Sequence, residues 1–173
     1  MQRRTVLKVM HWAMLPLTVW FVLMQPKDVT PLGLFQFHSA LALVFVTISL
    51  IWTAMYLRKG LASRPGPKLP PWGRVVHQIL HKTIIWGLFG VAVTGFLIGL
   101  SSTVQLRAAG IIPFAPPMGW PEMNRMIGTF HLIEFYILAA IIAFHAGFHI
   151  WRHLRLRDNA LRIMAPKALH RWL

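Results

Sequence analysis

Four apolar stretches dominate the chain: Val9–Met24, Leu34–Leu57, Val75–Leu100 and Thr129–Trp151. A helix needs about 20 apolar residues to cross the hydrocarbon core of a bilayer. The second, third and fourth stretches meet that length, while the first is short and is expected to enter the interface at both ends. All four are too long and continuous for barrel strands, and helices satisfy every backbone N–H and C=O within the segment. The prediction is all-α: an integral membrane four-helix bundle, one domain over residues 1–173, with spans at about 9–24, 34–57, 75–100 and 129–151.

Charge decides the orientation. Eighteen Lys and Arg stand against four Asp and Glu, a formal charge of +14. In a soluble chain that balance would suggest a nucleic-acid binder. Here the mean hydropathy is +0.56 and the basic residues cluster between apolar runs, so lipid is the expected partner and nucleic acid is not. Arg3, Arg4 and Lys8 precede the first span. Arg58, Lys59, Arg64, Lys68 and Arg74 flank the Pro-rich spacer "SRPGPKLPPWG", and the tail is basic from Arg152 onward. Only Lys27, Arg107 and Arg125 fall on the other side, which places both termini and the second connection in the cytoplasm. The outer connection, about Ser101–Gly128, carries "IIPFAPPMGWPEM", whose prolines and aromatics suggest an ordered lid. The first apolar run has no small-residue cleavage site and reads as a span rather than a signal peptide. Cysteine is absent, which excludes disulfides, thiolate metal sites, iron–sulfur clusters and covalent c-type haem.

Histidine is the residue that apolar spans do not explain. His11, His38, His77, His81, His131, His145 and His149 lie in or at the ends of the spans, with His153 just beyond. An ionisable side chain inside a span is a functional hypothesis by default. With the orientation above, His11 lies near the inner side, and His38 and His131 near the outer side. His145 follows His131 by fourteen residues, which displaces it about 21 Å along the helix and within roughly 40° of the same direction. One helix thus offers an imidazole to each half of the bilayer, and two other helices supply partners, His38 outside and His11 inside.

Such an arrangement suits two haems stacked across a membrane, each gripped between two imidazoles. A flat ring takes its axial ligands from opposite faces, hence from different helices, and bis-imidazole ligation favours electron transfer. Zinc would want three or four ligands converging on a point, and only the column His145–His149–His153 has that look. His149 rivals His145 as the inner ligand, because it stands five turns from His131. Gly87, Gly90, Gly95 and Gly99, with Ala139, Ala140, Ala146 and Gly147, either leave room for ring planes or mark close helix packing.

"HW" at His11–Trp12, His38, "HKTIIWGLFGVAVTG" from His81 and "FHAGFHIWRHLRLRDNALRIMAP" from Phe144 together resemble the bacterial cytochrome b561 family over essentially the whole chain. The most specific part is the ending "RDNALRIMAP", similar to the family's D-N-x-L-x-R-M-x-P. The resemblance implies a di-haem b cytochrome of the bacterial inner membrane that passes electrons between ubiquinone and a second partner, superoxide in one branch. Carried over by motif, the axial ligands fall on His11, His38, His131 and His145. The chain departs from the pattern at Ala42 (usually Gly), at Trp52 (usually Arg) and at Val93-Thr94-Gly95, which lacks the usual Pro.

The remaining polar residues stay open. His81 lines a quinone site or hydrogen-bonds a propionate or backbone; His77 one turn earlier faces the interface; His153 serves a cytoplasmic-side substrate pocket or a headgroup. Glu134 relays protons to a quinone, pairs with an imidazole of a neighbouring helix, or sits neutral in the bundle. Arg3, Arg4, Arg74, Lys82, Arg152 and Arg155 inside, and Arg107 and Arg125 outside, are candidates for pairing with propionates. Three functions compete: an oxidoreductase between a one-electron donor and ubiquinone, a haem-bearing anchor and conduit for a separate dehydrogenase or reductase, and a metal-ion carrier built on His145–His149–His153. A donor or acceptor protein and a homodimer are candidate partners.

Overall fold

The structure is a computed structural model and describes residues 3–24, 32–113, 115–165 and 167–172. Lys27 and Pro166, used above for topology and motif, lie outside the described residues, as does the side chain of Arg4.

Four long helices carry the fold: α1 (Arg3–Leu23), α2 (Leu32–Lys59), α3 (Pro71–Ser101) and α4 (Pro121–Arg155). All four are long and apolar enough to cross a membrane. Each packs against the next and α1 returns to α4, with α3 and α4 the closest pair. The chain therefore runs up, down, up, down around a ring. Side chains such as Val19, Leu50, Ile79, Phe96, Ile137 and Ile150 point outward, a surface that needs lipid rather than water. Within the helices the hydroxyls fold back on their own backbone: Thr18 donates to the Met14 carbonyl at 2.9 Å, Thr47 to Leu43 at 2.8 Å and Ser49 to Phe45 at 2.8 Å. That is how small polar residues are carried through hydrocarbon.

Helix ends follow from local chemistry. Pro71 and Pro121 each open a helix at a position where the missing N–H costs nothing and φ is already set. Gly60 closes α2 with φ +66°, and its N–H bonds the Tyr56 carbonyl at 2.7 Å, a left-handed stop that glycine adopts without strain. At 35 residues, α4 is about 52 Å long and outruns the hydrocarbon core at both ends. Its first turns hold Glu122, Asn124 and Arg125 ahead of the apolar stretch, so the connection between α3 and α4 is shorter than the sequence suggests and spans residues 102–120.

That connection is ordered. Strands β1 (Arg107–Ala108) and β2 (Ile112–Pro113) pair antiparallel, and β1 docks on the start of α2, where the Ala109 N–H donates to Ser39 Oγ at 3.2 Å. The loop is drawn shut by Met118, Gly119 and Trp120, whose N–H groups bond the carbonyls of Leu100, Ser102 and Ser101. At the opposite end of the bundle, Arg3 donates to the Gly60 carbonyl at 2.7 Å and Trp12 Nε1 to the Met164 carbonyl at 2.9 Å. The start of α1, the Pro-rich connection and the segment with α5 (Ala160–Met164) thus share one end.

Candidate functional site

The outer imidazoles come from diagonal helices, His38 on α2 and His131 on α4. They are near enough for their charges to interact. The His38 ring meets Phe21 edge-on at 5.0 Å. His131 is held from α3: its Nδ1 lies 2.8 Å from Thr94 Oγ1, and Thr94 donates in turn to Glu134 Oε2 at 3.0 Å. The same hydroxyl lies 3.2 Å from the Gly90 and Val91 carbonyls; with Nδ1 engaged by it, Nε2 is the nitrogen left for a metal. Two glycines permit this. A Cβ on Gly95 would lie 3.3 Å from His131 Cε1, and one on Gly90 would collide with the Glu134 carboxylate. Glu134 is joined through the Thr94 hydroxyl to His131 of its own helix, not to an imidazole of a neighbouring one. Gly87, facing Leu138, and Gly90 serve close α3–α4 packing rather than an open slot.

The inner group is larger. His145 and His149 on α4 stack one turn apart with ring centroids 4.5 Å apart. His81 of α3 lies 4.8 Å from His145 and 5.5 Å from His149, and His77 lies 4.3 Å from His81. His11 of α1 is within electrostatic range of both His81 and His145, and its ring meets Trp52 at 6.3 Å. His77 corrects the expectation of an interfacial residue: it is fully buried, and its Nε2 lies 3.0 Å from Ser63 Oγ in the Pro-rich connection. His81 Nδ1 donates to the His77 carbonyl at 2.7 Å, the backbone alternative raised above.

Between the two levels lies the apolar core of Met14, Phe45, Leu88, Val91, Phe135 and Leu138. Phe21 meets Phe45 and Phe135 edge-on at 5.5 Å and 6.0 Å, so an aromatic layer separates the outer imidazoles from the inner ones.

The inner rim is locked by an ion pair. Arg152 donates from Nε and Nη2 to Asp158 Oδ2 at 2.9 Å and 2.7 Å, and both side chains are 1% exposed. Asp158 Oδ1 also accepts the Ala160 N–H at 3.0 Å, which shapes the turn after α4. Gly66 packs so tightly on the pair that a Cβ would lie 2.6 Å from the guanidinium. Arg152 is therefore committed to Asp158, contrary to its place among propionate partners. His153 stands half-buried one turn beyond His149. At the opposite end of α4, Arg125 pairs with Glu122 at 3.2 Å in the open, a contact worth little in water.

A groove of about 480 Å³ runs along the outside of the α3–α4 pair, lined by Lys82, Trp86, Phe130, Glu134, Ile137 and Leu138 among others. Its wall is apolar apart from Lys82, Thr83 and the Glu134 carboxyl.

The imidazole pairs fit a haem. The donors are nitrogen only, His38 and His131 come from diagonal helices and His11 and His145 from neighbouring ones, and each of the four is half-buried in the bundle. The Nδ1 atoms of His38 and His145 are buried without a hydrogen-bond partner among the described residues. A membrane bundle of four apolar helices with imidazoles at two depths defines a b-type membrane cytochrome. The chain belongs to the prokaryotic cytochrome b561 family, whose model matches residues 2–167. Comparison with curated proteins gives no significant match.

Thr94, Ser63 and His77 are the site residues that sequence reasoning passed over or undervalued. A lone threonine between Gly90 and Gly95 in an apolar helix was the available signal for the first; nothing in the spacer singled out Ser63.

Proposed function

We propose that the chain is a two-haem b cytochrome of the bacterial inner membrane, with both termini cytoplasmic, which moves single electrons between a one-electron donor such as superoxide and ubiquinone. His38 and His131 hold the outer haem and His11 and His145 the inner one. The observation that carries this reading is the placement of the imidazoles in two groups on either side of the Phe21–Phe45–Phe135 layer. Haem b, when bound, supplies a one-electron iron couple. Thr94 and Glu134 orient His131 and raise its basicity as a ligand. His149 is the weaker inner candidate, because His145 lies within electrostatic range of His11, whereas the imidazoles around His149 are His145, His81 and His77. An isoprenoid quinone suits the α3–α4 groove, which is apolar along its length and offers the Glu134 carboxyl and Lys82 as polar contacts; His81 and His153 are the alternatives on the inner side.

The test is reduction of the isolated, detergent-solubilised protein by a superoxide-generating system, with and without a soluble ubiquinone analogue. Rapid haem reduction followed by quinone-dependent reoxidation is expected. Inertness, together with co-purification of a large soluble subunit, contradicts the enzyme and favours the conduit.

A further inference from the structure

Three imidazoles converge at the inner end of the α3–α4 pair. One potential ligand nitrogen from each of His77, His81 and His149 lies within 4.8 Å of the others. His77 and His81 are spaced i, i+4 on one face of α3, the spacing that lets two side chains of one helix chelate the same ion. His149 faces them from antiparallel α4, with ring centroids 5.8 Å and 5.5 Å away. We propose that His77, His81 and His149 bind a divalent transition cation of the zinc or copper type, at a site separate from haem iron.

The second nitrogens of His77 and His81 are already engaged. His81 donates Nδ1–H to the His77 carbonyl at 2.7 Å, which leaves Nε2 for a metal. His77 engages Ser63 through Nε2 at 3.0 Å, which leaves Nδ1. That Nδ1 and the Nε2 of His149 are buried with no hydrogen-bond partner among the described residues, although His77 is 0% exposed. Metal-bound histidines are oriented in this manner, one nitrogen ligating and the other fixed by a carbonyl or hydroxyl. Three imidazoles around a tetrahedral ion with metal–nitrogen bonds of about 2.0–2.1 Å hold their ring centres about 5 Å apart; the observed separations of 4.3, 5.8 and 5.5 Å bracket that value.

The donor type selects the ion. Neutral nitrogen donors with no carboxylate suit zinc, copper or nickel and disfavour magnesium and calcium. The nearby Arg152 guanidinium is paired with Asp158 at 2.7 Å. Three protein ligands leave a fourth position for water. Entry is from the inner aqueous side, past the half-buried His81 and His149 and beneath the Ser63 segment. This is not the His145–His149–His153 column that the sequence suggests: α3 supplies two of the three ligands, and His145 is left for haem.

The protein with its haem is stripped with a chelator, equilibrated with zinc chloride and desalted, and zinc and iron are counted per chain by mass spectrometry. One zinc per chain in addition to haem iron is expected. H77Q is expected to weaken zinc binding at least tenfold with iron unchanged. S63A, which removes only the hydroxyl that orients His77 and leaves the buried ring in place, is expected to weaken it by roughly 10–100-fold, as for other partners of metal-bound histidines. Wild type that retains no zinc, or zinc binding that neither variant reduces, overturns the site. Chains without haem that still bind zinc through His77 would support this site while contradicting the haem assignment.

Discussion

The Thr94 hydroxyl is a single polar group on which two others depend. It lies 2.8 Å from His131 Nδ1 and 3.0 Å from Glu134 Oε2, so it joins the carboxyl group to the imidazole. Removing it in Thr94→Val should make His131 a poorer donor to ferric iron and raise the midpoint potential of one haem. A tenfold change in relative affinity for the two oxidation states corresponds to about 59 mV, and a shift of that order is expected in a redox titration, with Thr94→Ser near wild type. Equal shifts in both haems, or none, would contradict the connection. Gly90→Ala should move the potential in the same direction, since its methyl displaces the Glu134 carboxylate. None of this was legible in the sequence. His131 and Glu134 could be placed from their own helix, but the partner from α3 depends on the register between two helices, which no spacing along one chain reports.

At the scale of the element, α4 was the most legible part of the molecule. Its regular rise alone separates His131 from His145 and aligns them, and the helix carries both as expected. Its ends were less legible. Apolar content marks the span but not the polar turns that continue it, so the sequence extends the connection to Gly128 whereas Pro121–Gly128 is helical. The inner end shows why "RDN" follows the helix: Asp158 turns back to cap the buried Arg152 guanidinium and the Ala160 N–H. Breaking a buried pair by removing one member leaves an uncompensated charge. Arg152→Met should therefore destabilise the protein by about 3–5 kcal/mol, read as a lowered Tm in detergent, and Arg152→Met combined with Asp158→Leu should recover much of that. A double variant no better than the single one would show that the pair matters for something other than its charge.

For the molecule as a whole, four apolar helices in a ring form a scaffold whose outer surface faces lipid and whose interior holds imidazoles in two groups. The number of helices and their order could be read from hydropathy, because nothing but a helix carries so long an apolar run across a bilayer. Depth along the helices predicts the pairs His38–His131 and His11–His145, whereas the gathering of His77, His81 and His149 depends on the packing of α3 on α4. The central claim is that the bundle holds two haems, each between two helices. A pyridine haemochrome count on the purified wild type and on His11→Ala, His38→Ala, His131→Ala and His145→Ala tests it most directly. Two haems in the wild type and one in each variant are predicted; a colourless protein, or variants that all keep both haems, would contradict it.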